Sequence, residues 1–107
     1  MKERDIEKIL VSEVKKLGGR AYKWVSPGND GVPDRIVIFP QRMPIFVELK
    51  ATGGKLSRLQ ELQIMRLSEL GQDVRVVTGV HGLILFFSSL GHQEVSYKLL
   101  KKYESEV

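Results

Sequence analysis

Gly31-Val32-Pro33-Asp34-Arg35-Ile36-Val37-Ile38-Phe39 and Ile45-Phe46-Val47-Glu48-Leu49-Lys50 decide how this chain is read. They are separated only by Pro40-Gln41-Arg42-Met43-Pro44. Residues 34–39 predict one strand and residues 45–50 the next. Ile36 to Phe39 is apolar at every position, which predicts a central strand covered on both faces. So short a connection requires the two strands to pair antiparallel. Glu48 and Lys50 are two apart, so they share a face. Asp34 joins them on that face if it pairs with position 48 or 50, and points away if it pairs with 49.

Working outward, residues 3–17 predict a helix, because Ile6, Leu10, Val14 and Leu17 recur at helical spacing and Gly18-Gly19 follows as a stop. Residues 20–25 alternate as a strand does, and Ser26 to Gly31 is rich in turn formers. After a glycine-containing loop at 51–55, residues 57–70 predict a second helix ending at Gly71. Its apolar residues spread over more than one face, which suggests burial against another subunit. Residues 73–78 predict a fourth strand. The apolar run from Leu83 to Phe87 suits a strand or a short buried helix, and residues 93–103 form a weakly amphipathic, lysine-bearing tail. The order is α-β-β-β-α-β, an α/β sandwich in a single domain over 1–107, with a core at about 3–80 and an extension at 81–107.

Composition narrows the chemistry. The chain has 107 residues and no cysteine, which excludes disulfide staples and thiolate metal sites. Its formal charge is +4, mildly favourable to polyanions. No apolar run is long enough to span a membrane, and Met1-Lys2-Glu3-Arg4-Asp5 is charged rather than signal-like. The expectation is a cytoplasmic protein. Gly53-Gly54-Lys55-Leu56-Ser57 lacks the spacing of a phosphate-binding loop, so no nucleotide cofactor is expected. His81 and His92 are isolated.

Two carboxylates, Asp34 and Glu48, beside Lys50 are the equipment for holding Mg²⁺ against a phosphodiester. Mg²⁺ takes one or two carboxylates, completing its shell with water and phosphate oxygens. A bound metal activates water, and a lysine orients that water or offsets developing charge. Ser57-Arg58-Leu59-Gln60 reads equally as a helix capping box and as a source of an active-site amide at Gln60. Glu3 and Glu7 lie within the inward-facing arc of the first helix, and Glu13 lies on the opposite flank. Arg20, Lys23, Lys55 and Arg58 are candidate DNA contacts flanking the site. Tyr22 and Trp24 are read as support for a strand or as core.

Taken together, Glu7…Gly31-x-Pro33-Asp34…Glu48-x-Lys50…Ser57-x-x-Gln60 resembles the VRR-NUC family of the PD-(D/E)XK nuclease superfamily, over roughly residues 3 to 80. The resemblance implies a restriction-endonuclease-like core with a mixed central sheet flanked by helices. It implies metal ligation by Glu7, Asp34 and Glu48, with the Leu49 carbonyl a further ligand, a catalytic Lys50 and an assisting Gln60. It is the resemblance that selects Glu7 over Glu3. The short chain is similar to stand-alone virus-type members, which implies a homodimer acting with Mg²⁺, or Mn²⁺ in its place, on branched DNA such as four-way (Holliday) junctions. The competing expectations are a nuclease for flaps, ends or simple duplex, and a catalytically silent DNA-binding module of the same fold.

Overall fold

A four-residue apolar rhythm sets the first helix: Ile6, Leu10 and Val14 are all buried in the computed structural model, which describes residues 1–107. This helix, α1 (Glu3–Lys16), starts where the Lys2 backbone N–H donates to the Asp5 carboxylate at 3.2 Å. It is followed by β1 (Arg20–Lys23), β2 (Arg35–Ile38), β3 (Ile45–Lys50), α2 (Arg58–Glu69) and β4 (Asp73–Thr78). The chain then closes with α3 (Gly79–Ser89), α4 (Gln93–Lys102) and a short 3-10 turn, Glu104–Glu106.

The four strands form one sheet in the order β1-β2-β3-β4. The first three are antiparallel neighbours, and β4 runs parallel to β3 after the α2 crossover. Arg35 pairs with Val47, so the register carried one residue further sets Asp34 opposite Glu48. That is one of the two registers that put both carboxylates on a single face.

The core occupies the other face. Val37, Ile45, Val47, Leu49 and Val77 point into it, and Ile6, Leu10, Leu83, Phe87 and Leu99 from α1, α3 and α4 close over them. The ambiguous run 80–90 is thus a helix: Val80, Leu83 and Phe87 meet the core at helical spacing, which no strand could present. The tail at 93–103 is a helix too, burying Val95, Ser96 and Leu99.

One expectation is corrected. β2 is interior in the sheet, yet it is not covered on both faces. Ile38 is 40% exposed and Tyr22 on β1 is 56% exposed. The reason is the helix count on each side: α1, α3 and α4 share the core face, while α2 alone lies on the other and packs over β4. Trp24 partly covers the gap by stacking on Phe46 at 5.2 Å between ring centroids. No helix is long and apolar enough to cross a membrane.

Candidate active site

Glu48 sits on β3 with Val47 and Leu49 on either side aimed into the core, so alternation turns it to the opposite face. It is nevertheless only 1% exposed, and the first turn of α2 reaches it through Gln60. A buried carboxylate demands partners. Glu48 Oε2 accepts from Gln60 Nε2 at 3.0 Å and lies 3.5 Å from Lys50 Nζ. Its other oxygen, Oε1, is buried with no hydrogen-bond partner. Burial pushes the Glu48 carboxyl up to about 7 from an ordinary 4.5. The negative charge of Asp34 adds to that rise, Lys50 opposes it, and Glu3 contributes a smaller upward push.

Asp34 is fixed twice. Its carbonyl accepts from Trp24 N at 3.0 Å, and its Oδ2 accepts from Leu49 N at 2.9 Å. The second bond ties the carboxylate to the backbone between Glu48 and Lys50. The preceding loop is seated on α2. Gly31 has φ +89°, and a Cβ there would stand 2.6 Å from the Leu59 carbonyl carbon. Only glycine tolerates both the angle and the approach. Gln63 Nε2 also donates to the Asp30 carbonyl at 3.3 Å.

Gln60 both caps the helix and reaches Glu48. Its Oε1 accepts from Ser57 N at 2.8 Å while Ser57 Oγ accepts from Gln60 N at 3.2 Å, completing the capping box. The amide nitrogen remains free to hold Glu48. The backbone N–H at one end and the carboxylate at the other leave only one orientation of the amide.

The structure therefore brings Asp34, Glu48, Leu49, Lys50 and Gln60 together. It does not bring Glu7 with them. Glu7 Oε2 accepts from Arg35 Nε at 2.7 Å and lies 3.8 Å from Lys23 Nζ. Arg35 follows Asp34 on the strand and so faces the other way, drawing Glu7 toward the core side of the sheet. Glu3, one turn nearer the start of α1, is the helix carboxylate whose charge reaches Glu48. Of the four candidate DNA contacts, all are exposed. Lys23 is engaged by Glu7, and Arg20 pairs with Ile38 at the end of β1 remote from Asp34, so it does not flank the site. Arg58 lines a shallow surface groove with Glu61, Leu62 and Met65.

No three His, Cys, Asp or Glu side chains converge closely enough to hold a metal ion. Two carboxylates suffice for Mg²⁺, which retains several waters. The unpartnered Glu48 Oε1 is the observation that fits such an ion, since a buried oxygen without a donor is costly unless a cation completes it. The largest surface groove lies along α1.

The family profile described as the VRR-NUC domain matches residues 2–81. The chain is 53% identical over 77 residues to the "Putative nuclease p44" of Acyrthosiphon pisum secondary endosymbiont phage 1, covering 72% of this chain and 83% of that protein. It is similar to a solved structure described as a VRR_NUC domain, with a TM-score of 0.65 and 25% identity, covering 94% of this chain and 96% of that one.

Proposed function

The chain belongs to the VRR-NUC domain family, and from that membership we propose that it is a divalent-metal-dependent DNA endonuclease acting on branched DNA such as four-way junctions. The observation that carries the chemistry is Glu48: buried, aimed away from the core, with one oxygen held by Gln60 and Lys50 and the other free.

Asp34, Glu48 and the Leu49 carbonyl would hold the cation, Mg²⁺ with Mn²⁺ as a substitute. Glu3 is better placed than Glu7 to add a third carboxylate, directly or through water. When bound, the cation lowers the pKa of its water and offsets charge on the phosphate. The protein's own groups do the rest. Gln60 fixes the rotation of the Glu48 carboxylate. The Leu49 N–H fixes Asp34. Lys50 orients the attacking water and stabilises negative charge as it grows on the phosphate oxygens. A bare Glu48 near neutrality would be half protonated, so cation binding and proton release are coupled at this site.

A homodimer agrees with α2, which carries Leu59 and Met65 in exposed positions, is followed by the exposed Leu70, and buries no residue. Two sites related by a twofold axis suit paired cuts across a junction.

The test is cleavage of a synthetic four-way junction beside linear duplex and flap substrates, with Mg²⁺, Mn²⁺ or EDTA, for wild type and Lys50→Ala. Metal-dependent cutting of the junction, lost in Lys50→Ala, is expected. Binding without cutting would leave only a DNA-binding module, and faster cutting of the flap would overturn the junction assignment.

A further inference from the structure

Glu13 is a second buried carboxylate, 6% exposed, and the active site makes no use of it. Its Oε1 is 2.5 Å from Lys98 Nζ and its Oε2 is 3.5 Å from Lys16 Nζ. Glu13 and Lys16 both lie on α1, and Lys98 lies on α4, so the pair with Lys98 ties the two helices together. Between them runs a groove of about 230 Å³, lined by Lys8 and Lys102 as well as this trio. A second groove of about 480 Å³ follows the other flank of α1, where Arg4, Lys15 and Arg35 surround Glu7. Lys8 and Ser12 border both grooves, so α1 is a ridge between them.

The charge is lopsided. Seven basic side chains and two carboxylates line the two grooves, a net +5, against +4 for the whole chain. The remaining ten basic and eleven acidic residues nearly cancel. The positive excess of this protein is therefore concentrated on one surface. The Arg4 end of the ridge adjoins Glu3, the α1 carboxylate whose charge reaches Glu48, so the ridge starts near the candidate site and leads away from it. From Arg4 to Lys15 the ridge rises roughly 16 Å, about half a turn of B-form duplex. Most of its donors are lysine ammonium groups, and the Arg35 fork is already occupied by Glu7 and the Ala21 carbonyl. Such donors grip phosphates and read no bases.

We infer that the paired grooves astride α1 seat a duplex arm of the DNA substrate, gripped through phosphates beyond the scissile bond. This rests on the nuclease reading only for the identity of the polyanion. It also gives α4 a role: that helix lies beyond the residues 2–81 matched by the family profile, and its lysines extend the substrate grip past that segment.

The experiment compares wild type, Lys8→Gln/Lys102→Gln and a charge-matched control, Arg42→Gln/Arg66→Gln. Lys8 and Lys102 take part in no ion pair, and none of the four residues belongs to the site. Affinity is measured against salt for junctions with long and short arms, with Ca²⁺ in place of Mg²⁺. On long arms the groove variant loses close to 2 from the slope of log affinity against log salt, at about 0.9 per phosphate contact. On short arms it matches wild type, as does the control on both. Its cutting rate at saturating enzyme is unchanged. An unchanged slope, an equal fall in the control, or an equal loss on short arms overturns the inference, as does stronger groove-dependent binding to anionic phosphatidylserine vesicles than to DNA. If wild type never cuts but shows the arm-length effect, the nuclease reading fails and the groove assignment stands.

Discussion

Gln60 and Glu48 meet at 3.0 Å, Nε2 to Oε2, while the other end of the same amide caps α2 at Ser57 N. One side chain thus starts the helix and orients the buried carboxylate. The two duties separate by substitution. Gln60→Ala loses both, costing about 1 kcal/mol through the lost cap and most of the cleavage rate. Gln60→Glu keeps an acceptor for Ser57 N but sets a second carboxylate against Glu48. Its melting temperature stays near wild type at pH 5 and falls at pH 8, and its cleavage is lost. Thermal melts at the two pH values beside a cleavage assay check this; wild-type cleavage by Gln60→Ala would remove Gln60 from the site.

The Glu48 carboxyl sets a pH dependence of known sign. Its folded value is about 7 against an ordinary 4.5, so the folded state holds the proton more tightly than the unfolded chain. Its contribution to stability is complete below 4.5 and is lost as pH rises through 7. The loss is at most about 3 kcal/mol. In EDTA, wild type therefore loses stability relative to Glu48→Gln across that window. Adding Mg²⁺ restores stability above pH 7 in wild type alone. Urea unfolding at stepped pH measures both effects, and parallel curves for the two proteins would contradict them.

Glu3 and Glu7 are expected to divide their labour. Glu7→Gln disrupts the contact with Arg35, costing about 1–2 kcal/mol, and leaves metal affinity intact. Glu3→Gln leaves stability intact and weakens metal binding. Calorimetric titration with Mn²⁺ beside urea unfolding separates them, and the reverse pattern would restore Glu7 to the site.

Gly31→Ala tests the seat of the loop on α2. The added methyl meets Leu59 backbone at a φ that side chains avoid. The expected cost is about 1–3 kcal/mol, with loss of cleavage because Asp34 and Gln60 move apart. Gly28→Ala has a positive φ but open space around it, so it isolates the backbone term. Equal destabilisation by the two variants would show that the contact with α2 contributes nothing.

The strand pair was legible because its information is local. Alternation placed Glu48 and Lys50 on one face, and a short connection fixed the antiparallel sense. The capping box at Ser57 was equally local. What the sequence hid depends on docking across the fold. Glu7 looks as inward as Glu3 on a helical wheel, and only the direction of Arg35 takes it away. Glu13 looks like surface charge until Lys98, distant in sequence, closes over it. The run 83–87 is apolar enough for either regular structure, and the α1 packing beneath it made the choice. The open sheet face was missed because an apolar run reports preference for burial, not the number of helices available to provide it.

The helix that completes the site is also the one least rooted in the core. None of the twelve residues of α2 is buried, and it is held by its cap, by the seat at Gly31 and by β4. Its amide hydrogens therefore exchange with solvent by local opening, at a free energy well below that of global unfolding. Each such opening withdraws Gln60 while the strands keep Asp34 and Glu48 in register. On warming, cleavage is therefore expected to fail before the fold melts.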